Sequence, residues 1–268
     1  MPECLGVRFG NGPKIHYVEA PPLPPAINSK CVVSTRRGLE LAVARTSVKE
    51  YARPAGYYVR SARTEDLQRH QSLQRRAEDL KWLLRARSRQ AGMKMKVVGL
   101  EFNLDESLLV VSYSSEGQVP LRVLTQELIG YTSARIEFNN VGPRDQARII
   151  GSLGACGFGS CSSTWLQGFN AVGIRMARDQ QLPLNPEKIS GPCGRLMCCL
   201  QYEHEMYREL LRDLPKKGSR ACHDPSGVCG RIVKLNPLQG TVELKAEGGG
   251  IEEYPAAEII RQSLPHRN

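Results

Sequence analysis

The sequence predicts an α+β protein built in parts. These are a β-rich N-terminal segment (1–55), a ferredoxin-like βαββαβ unit (56–141), a cysteine-rich helical cluster region (142–214) and a small C-terminal β-barrel (215–268). Three observations carry the expectation. Apolar and polar residues alternate over much of 1–60. A long run with apolar residues at helical spacing follows. Five of the nine cysteines then fall between 156 and 199, in two glycine-flanked motifs. A length of 268 residues suits about two domains at roughly 150 residues each, or three small ones.

The first segment reads as strands in "CLGVRFG", "KIHYVEA" and "SKCVVSTRRGLELAVAR", with Cys4 and Cys31 as core thiols. The four prolines of "APPLPPAINS" exclude helix and central strand, so it is a loop. Thr64 is placed to cap a helix whose first turn holds Glu65 and Asp66. Leu73, Ala77, Leu80 and Leu84 share one face of that helix, which should end near Gly92. Strands over 94–102 and 107–113, a helix over 121–130 and a strand over 134–139 come next. With "GYYVRSA" as opening strand, the order is that of a ferredoxin-like split βαβ unit.

The chain carries 37 Lys and Arg against 27 Asp and Glu, a net charge of +10. Between Arg60 and Lys96 eleven basic residues face four acidic ones. Arg75, Arg76, Lys81, Arg85 and Arg89 project largely away from the apolar helix face, so they are candidates for binding nucleic acid or an acidic partner. The competing reading is a solvated helix face. No apolar run approaches the ~20 residues of a membrane span. The start, "MPECLGVRFG", has neither a basic nor an apolar leader region. The expectation is a cytoplasmic protein without membrane insertion, in which structural disulfides are out of place.

The cysteine motifs are "GACGFGSCSSTWLQG", with Cys156 and Cys161, and "SGPCGRLMCCLQYE", with Cys193, Cys198 and Cys199. Aligned, they form a degenerate repeat, Cys-Gly-x-x-x-Cys-(Ser/Cys), with Ser162 where the second copy has Cys199. A thiolate-held metal centre needs soft ligands from two chain segments. It also needs small residues that let backbone N–H groups approach the sulfurs. Zinc suits the same thiols, but the Cys-x₄-Cys spacing leans toward an iron–sulfur cluster over a zinc knuckle. Asn185-Pro186-Glu187 reads as a helix start, and a longer helix should follow Gly194. Adjacent helical residues diverge by about 100°, so Cys198 and Cys199 cannot easily face one cluster. One of them is expected to be ordinary core.

Other motif readings fail. The glycine-rich run 154–159 lacks the Lys-Ser/Thr of a P-loop. There is no Cys-x-x-Cys, and none of His16, His70, His204, His223 and His266 has ligand spacing. His204 reads as a solvated helix residue. Cys222 and Cys229 flank the turn "DPSG" and read as paired strand residues, with a second metal site as the alternative. The closing strands "GVCGRIVKLN", "GTVELKAEG" and "IEEYPAAEII" suggest the small barrel.

The runs "VGPRDQARIIGSLGACG", "IRMARDQQLPLNPEKISGPCGRLMCCLQYE" and "LPKKGSR" resemble the RicT/YaaT family, bacterial proteins with a polymerase-suppressor-type C-terminal domain. A weaker likeness covers nearly the whole chain. The resemblance implies a cytoplasmic regulatory protein rather than an enzyme. It implies an iron–sulfur cluster of 4Fe–4S type, small helical partner proteins, and action on an endoribonuclease in mRNA maturation, with effects on sporulation and biofilm formation. Cys156, Cys161 and Cys193 match family cysteines suited to cluster binding. The family's first motif commonly ends in Cys-Cys; here Ser162 departs from it, and a serine oxygen is a poor substitute for a soft thiolate. The fourth ligand then falls to Cys198, Cys199 or a partner. A reading from a different class is a zinc-stabilised protein that binds RNA directly through its basic helix.

Overall fold

The computed structural model of the protein describes residues 2–10 and 13–261. His266 and the rest of 262–268 lie outside the described residues. The chain divides into two compact units: 1–169 with 190–195, and 170–189 with 196–268.

In the first unit, alternation over the N-terminal segment produces β1 (Glu3–Phe9), β2 (Ile15–Glu19), β3 (Lys30–Thr35), β4 (Gly38–Ala44), β5 (Lys49–Glu50) and β6 (Gly56–Ser61). β1 pairs with β2 and β4, β4 with β3, β3 with β6, and β6 in parallel with β2. The ring therefore closes into a barrel, and closure removes open edges. Leu5, Val7, Val18, Cys31, Val33, Ala42 and Ala44 fill its interior. Cys4 and Cys31 are fully buried, and burial pushes the Cys31 thiol up to about 11.

The long helix α1 runs Thr64–Gln90. Its N-cap is Arg63, and Thr64, expected as the cap, is instead its first helical residue. The reason lies in Asp66, whose carboxylate accepts the Arg63 backbone N–H at 2.7 Å and so ties off the first turn from within. Leu73, Ala77, Leu80 and Leu84 are buried as the spacing requires. They pack on a three-stranded sheet of β7 (Met95–Phe102), β8 (Leu108–Ser115) and β9 (Arg135–Asn140), with α2 (Leu121–Ile129) completing the layer. β7 and β8 are antiparallel, whereas β8 and β9 are parallel. The β-α-β-β-α-β order is present along the chain, but β6 hydrogen-bonds within the barrel. The four strands therefore do not make one ferredoxin-like sheet. β6 was drawn away because Tyr57, Tyr58 and Arg60 find register partners on β3 that complete the barrel wall.

After β9 come α3 (Pro143–Ile150) and the single turn α4 (Cys161–Thr164). The second unit holds α5 (Ile174–Asp179), α6 (Pro186–Ile189) and α7 (Cys198–Asp213), gathered on Ala177, Ile189 and Leu200. Asn185 Oδ1 accepts the Glu187 N–H at 3.0 Å, the expected start of α6. His204 is only 20% exposed and lies 3.9 Å from Asp179, so it is not the solvated helix residue expected.

A five-stranded antiparallel sheet follows, of β10 (Arg220–His223), β11 (Cys229–Asn236), β12 (Thr241–Ala246), β13 (Ile251–Pro255) and β14 (Ile259–Arg261). Its order is β13-β12-β11-β10-β14. Among the described residues β13 and β14 do not pair, so the expected barrel is an open sheet around Ile232, Leu235, Val242 and Leu244. Cys222 and Cys229 are paired strand residues, as expected, and are joined by a disulfide. That corrects the expectation that disulfides are out of place; β10–β11 register puts the two Cα atoms only 4.0 Å apart. No helix among the described residues is long and apolar enough to cross a membrane.

Candidate thiol loops and basic helix

The two cysteine motifs fold alike. In the first, the Gly154 N–H donates to the Phe158 carbonyl at 2.8 Å, Gly157 N–H to Gly154 at 3.0 Å, and Ser160 N–H to Ser152 at 2.8 Å. In the second, at a constant offset, Gly191 donates to Arg195 at 2.8 Å, Gly194 to Gly191 at 2.9 Å, and Met197 to Ile189 at 2.9 Å. Gly157 and Gly194 take φ of +81° and +73°, a region that side chains disfavour. The N-cap residues Ser160 and Met197 have nearly identical backbone angles, and helices begin at Cys161 and Cys198. The repeat read from cysteine spacing is thus also a repeat of backbone conformation.

Each thiol follows from that shape. Cys156 and Cys193 precede the left-handed glycines. Cys156 is exposed, and its Sγ packs so closely over Gly154 that a Cβ there would stand 3.2 Å away. Cys161 and Cys198 are the first helical residues of their copies, both half-buried. At the N-terminus of the 16-residue α7, the first-turn N–H groups lack intrahelical acceptors and favour a negative charge beside them. Ser162 and Cys199 occupy the next position. Ser162 is buried, with its hydroxyl 3.3 Å from that of Ser160, so in the first copy this position packs inward. Arg148 holds the copy to α3 by donating to the Ser162 carbonyl at 3.1 Å, its guanidinium lying 4.4 Å from the Phe169 ring centre.

Cys156, Cys161 and Cys193 belong to the first compact unit, Cys198 and Cys199 to the second. Among the described residues no three His, Cys, Asp or Glu side chains are gathered as a metal-holding group. What fits a metal in each copy is the donor chemistry: soft thiols on a tight glycine turn.

The basic helix is more occupied than its sequence suggests. Arg76 donates to Glu106 at 2.9 Å and to the Tyr131 carbonyl at 2.6 Å, and its guanidinium lies 5.3 Å from the centre of the Phe102 ring. Lys81 pairs with Glu78, and Arg85 donates to the Val97 carbonyl at 3.0 Å. Arg75 and Arg89 are exposed and form no ion pair with a described residue. The structure also links residues that the sequence did not connect. His223, buried under the stacked ring of Tyr254, bonds Ser226 Oγ at 2.7 Å and Glu258 at 2.9 Å. Ser226 Oγ also takes the Val228 N–H at 3.4 Å, so the group clamps the turn between β10 and β11.

Residues 57–141 match the PSP1 C-terminal conserved region, and residues 171–214 match the third domain of PSP1-like proteins. No solved structure matches the chain. Among curated proteins, the stage 0 sporulation protein YaaT of Bacillus subtilis (strain 168) is 34% identical over 272 residues, covering 98% of each chain. With likeness sustained along its whole length, the chain belongs to the YaaT (RicT) family.

Proposed function

We propose that the protein is a non-enzymatic regulatory adaptor in the cytoplasm that holds an iron–sulfur cluster through its cysteine loops. The reading rests on one observation above all: two thiol-bearing loops share their hydrogen bonds, left-handed glycine and helix start. Cys156, Cys161 and Cys193 are the proposed ligands, and Cys198 is the fourth. Cys199 shares its position with buried Ser162, which supports a packing role for it. When bound, such a cluster supplies a redox- and oxygen-sensitive centre. The chain's part is to present thiolates, to bring backbone N–H groups close through glycine, and to hold the loops on α3 and α7. The name of the similar Bacillus protein supports a role in regulating development at the onset of sporulation. Through small helical protein partners, the adaptor would act on an endoribonuclease in mRNA maturation. Co-purification under anaerobic conditions tests the partner arm: an endoribonuclease should be recovered with the wild-type chain and lost with Cys156→Ala. Recovery unaffected by that substitution would separate the partner role from the thiols.

A further inference from the structure

An open pocket of about 350 Å³ lies in the first unit, where the β3–β4 turn meets the starts of β8 and β9. Thr35, Arg36, Arg37, Gly38, Ser107, Leu108 and Arg135 line it. Its wall thus carries three guanidinium groups and two hydroxyls, and no carboxylate. The turn is locked in place. Asn103 Nδ2 donates to the Arg37 carbonyl at 2.6 Å, the Leu39 N–H to Asp105 at 3.1 Å, and the Leu104 N–H to the Leu39 carbonyl at 2.7 Å. Gly38, at φ +104°, makes this docking possible, since a Cβ would fall 2.4 Å from Asn103 Nδ2. Arginines that are normally mobile are thereby anchored at their backbones before any ligand arrives.

Their charges are only partly met inside the protein. Arg36 is exposed and makes no ion pair with a described residue. Arg37 stands 3.6 Å from Glu40, whose other oxygen takes the Thr35 hydroxyl. Arg135 pairs with Glu137 at 2.6 Å yet stays 66% exposed. Burial, then the charges of Lys14 and Arg37, push the His16 pKa down, which marks a positive potential beside the turn. The first unit as a whole holds 24 of the 37 Lys and Arg against 15 of the 27 acids, whereas the second is nearly balanced. We propose that this pocket binds a phosphate group, carried by a nucleic-acid backbone. Guanidinium forks match phosphate oxygens, and the surrounding field draws a polyanion.

The test is binding of a labelled single-stranded RNA to the full chain across a salt series. Arg36→Ala/Arg37→Ala/Arg135→Ala should bind about tenfold or more weakly at low salt. Its slope of log affinity against log salt should fall by about 2, from roughly 0.7 per lost contact. Arg53→Ala/Lys94→Ala/Arg122→Ala removes equal charge from exposed positions elsewhere in the same unit and should change affinity less than about threefold. Arg36→Glu alone breaks no bond among the described residues and should still weaken binding if the triple variant unfolds. Equal losses in both triple variants, or none in Arg36→Glu, overturn the proposal. A thermal shift with inorganic pyrophosphate that vanishes in the pocket variant, with RNA binding unchanged, assigns the pocket to a small phosphate ligand and rejects the backbone source.

Discussion

At Asp66 one carboxylate serves two partners. It accepts Arg60 Nη2 at 2.8 Å and the Arg63 backbone N–H at 2.7 Å, joining the end of β6 to the start of α1. The Arg60 bond first, and the Arg63 N–H after it, hold the carboxyl down at about 2, from an ordinary 3.8. A lowered folded pKa stabilises above the unfolded value, and the gain disappears as pH falls through the folded one. The contribution is therefore full above about pH 4 and lost by about pH 2. Asp66→Asn should cost about 1–2 kcal/mol at neutral pH. The wild-type advantage should shrink across that acid window, as urea melts at several pH values would record. Thiols separate by burial in the same way. In native, metal-free protein, exposed Cys156 should be alkylated by iodoacetamide well before buried Cys4 and Cys31, read by mass spectrometry.

The cysteine loops were legible as elements because their signal is local: a residue spacing, a glycine after each first thiol, a helix pattern after each second. Gly157→Ala or Gly194→Ala puts a Cβ on a left-handed residue and should cost about 1 kcal/mol in thermal unfolding. A Gly117→Ala change, at a glycine without positive φ where an added Cβ meets nothing within 4 Å, serves as the control and should not destabilise. What the sequence could not convey was pairing between distant strands. β6 alternates as the first strand of a ferredoxin-like unit would, and nothing local says that β3 will claim it. The disulfide was missed for a different reason: compartment argued against it, while β10–β11 register argued for it. The basic run of α1 was legible as charge but not as surface. Arg76 and Arg85 spend their donors inside the unit, so Arg76→Glu should lower stability, whereas Arg75→Glu should leave the melting temperature nearly unchanged.

At the scale of the molecule, charge and thiols fall largely on the same unit. The first compact unit carries most of the net positive charge, the arginine pocket and three of the five motif cysteines. The second carries α7 and a sheet whose β10–β11 hairpin is closed by the disulfide Cys222–Cys229. Closing so short a loop is worth about 2–3 kcal/mol by loop entropy, so oxidised protein should melt above the Cys222→Ala variant by a matching amount. The central claim is that Cys156, Cys161 and Cys193 are cluster ligands, with Cys198 as fourth and Cys199 as packing. It is tested most directly by iron and acid-labile sulfide per chain, in protein purified without air. Wild type should be brown and carry both. Cys156→Ala, Cys161→Ala and Cys193→Ala should each lose nearly all of it, Cys198→Ala should lose part, and Cys199→Ser should keep most. Colourless wild-type protein with stoichiometric zinc, or full iron in Cys193→Ala, would contradict the account.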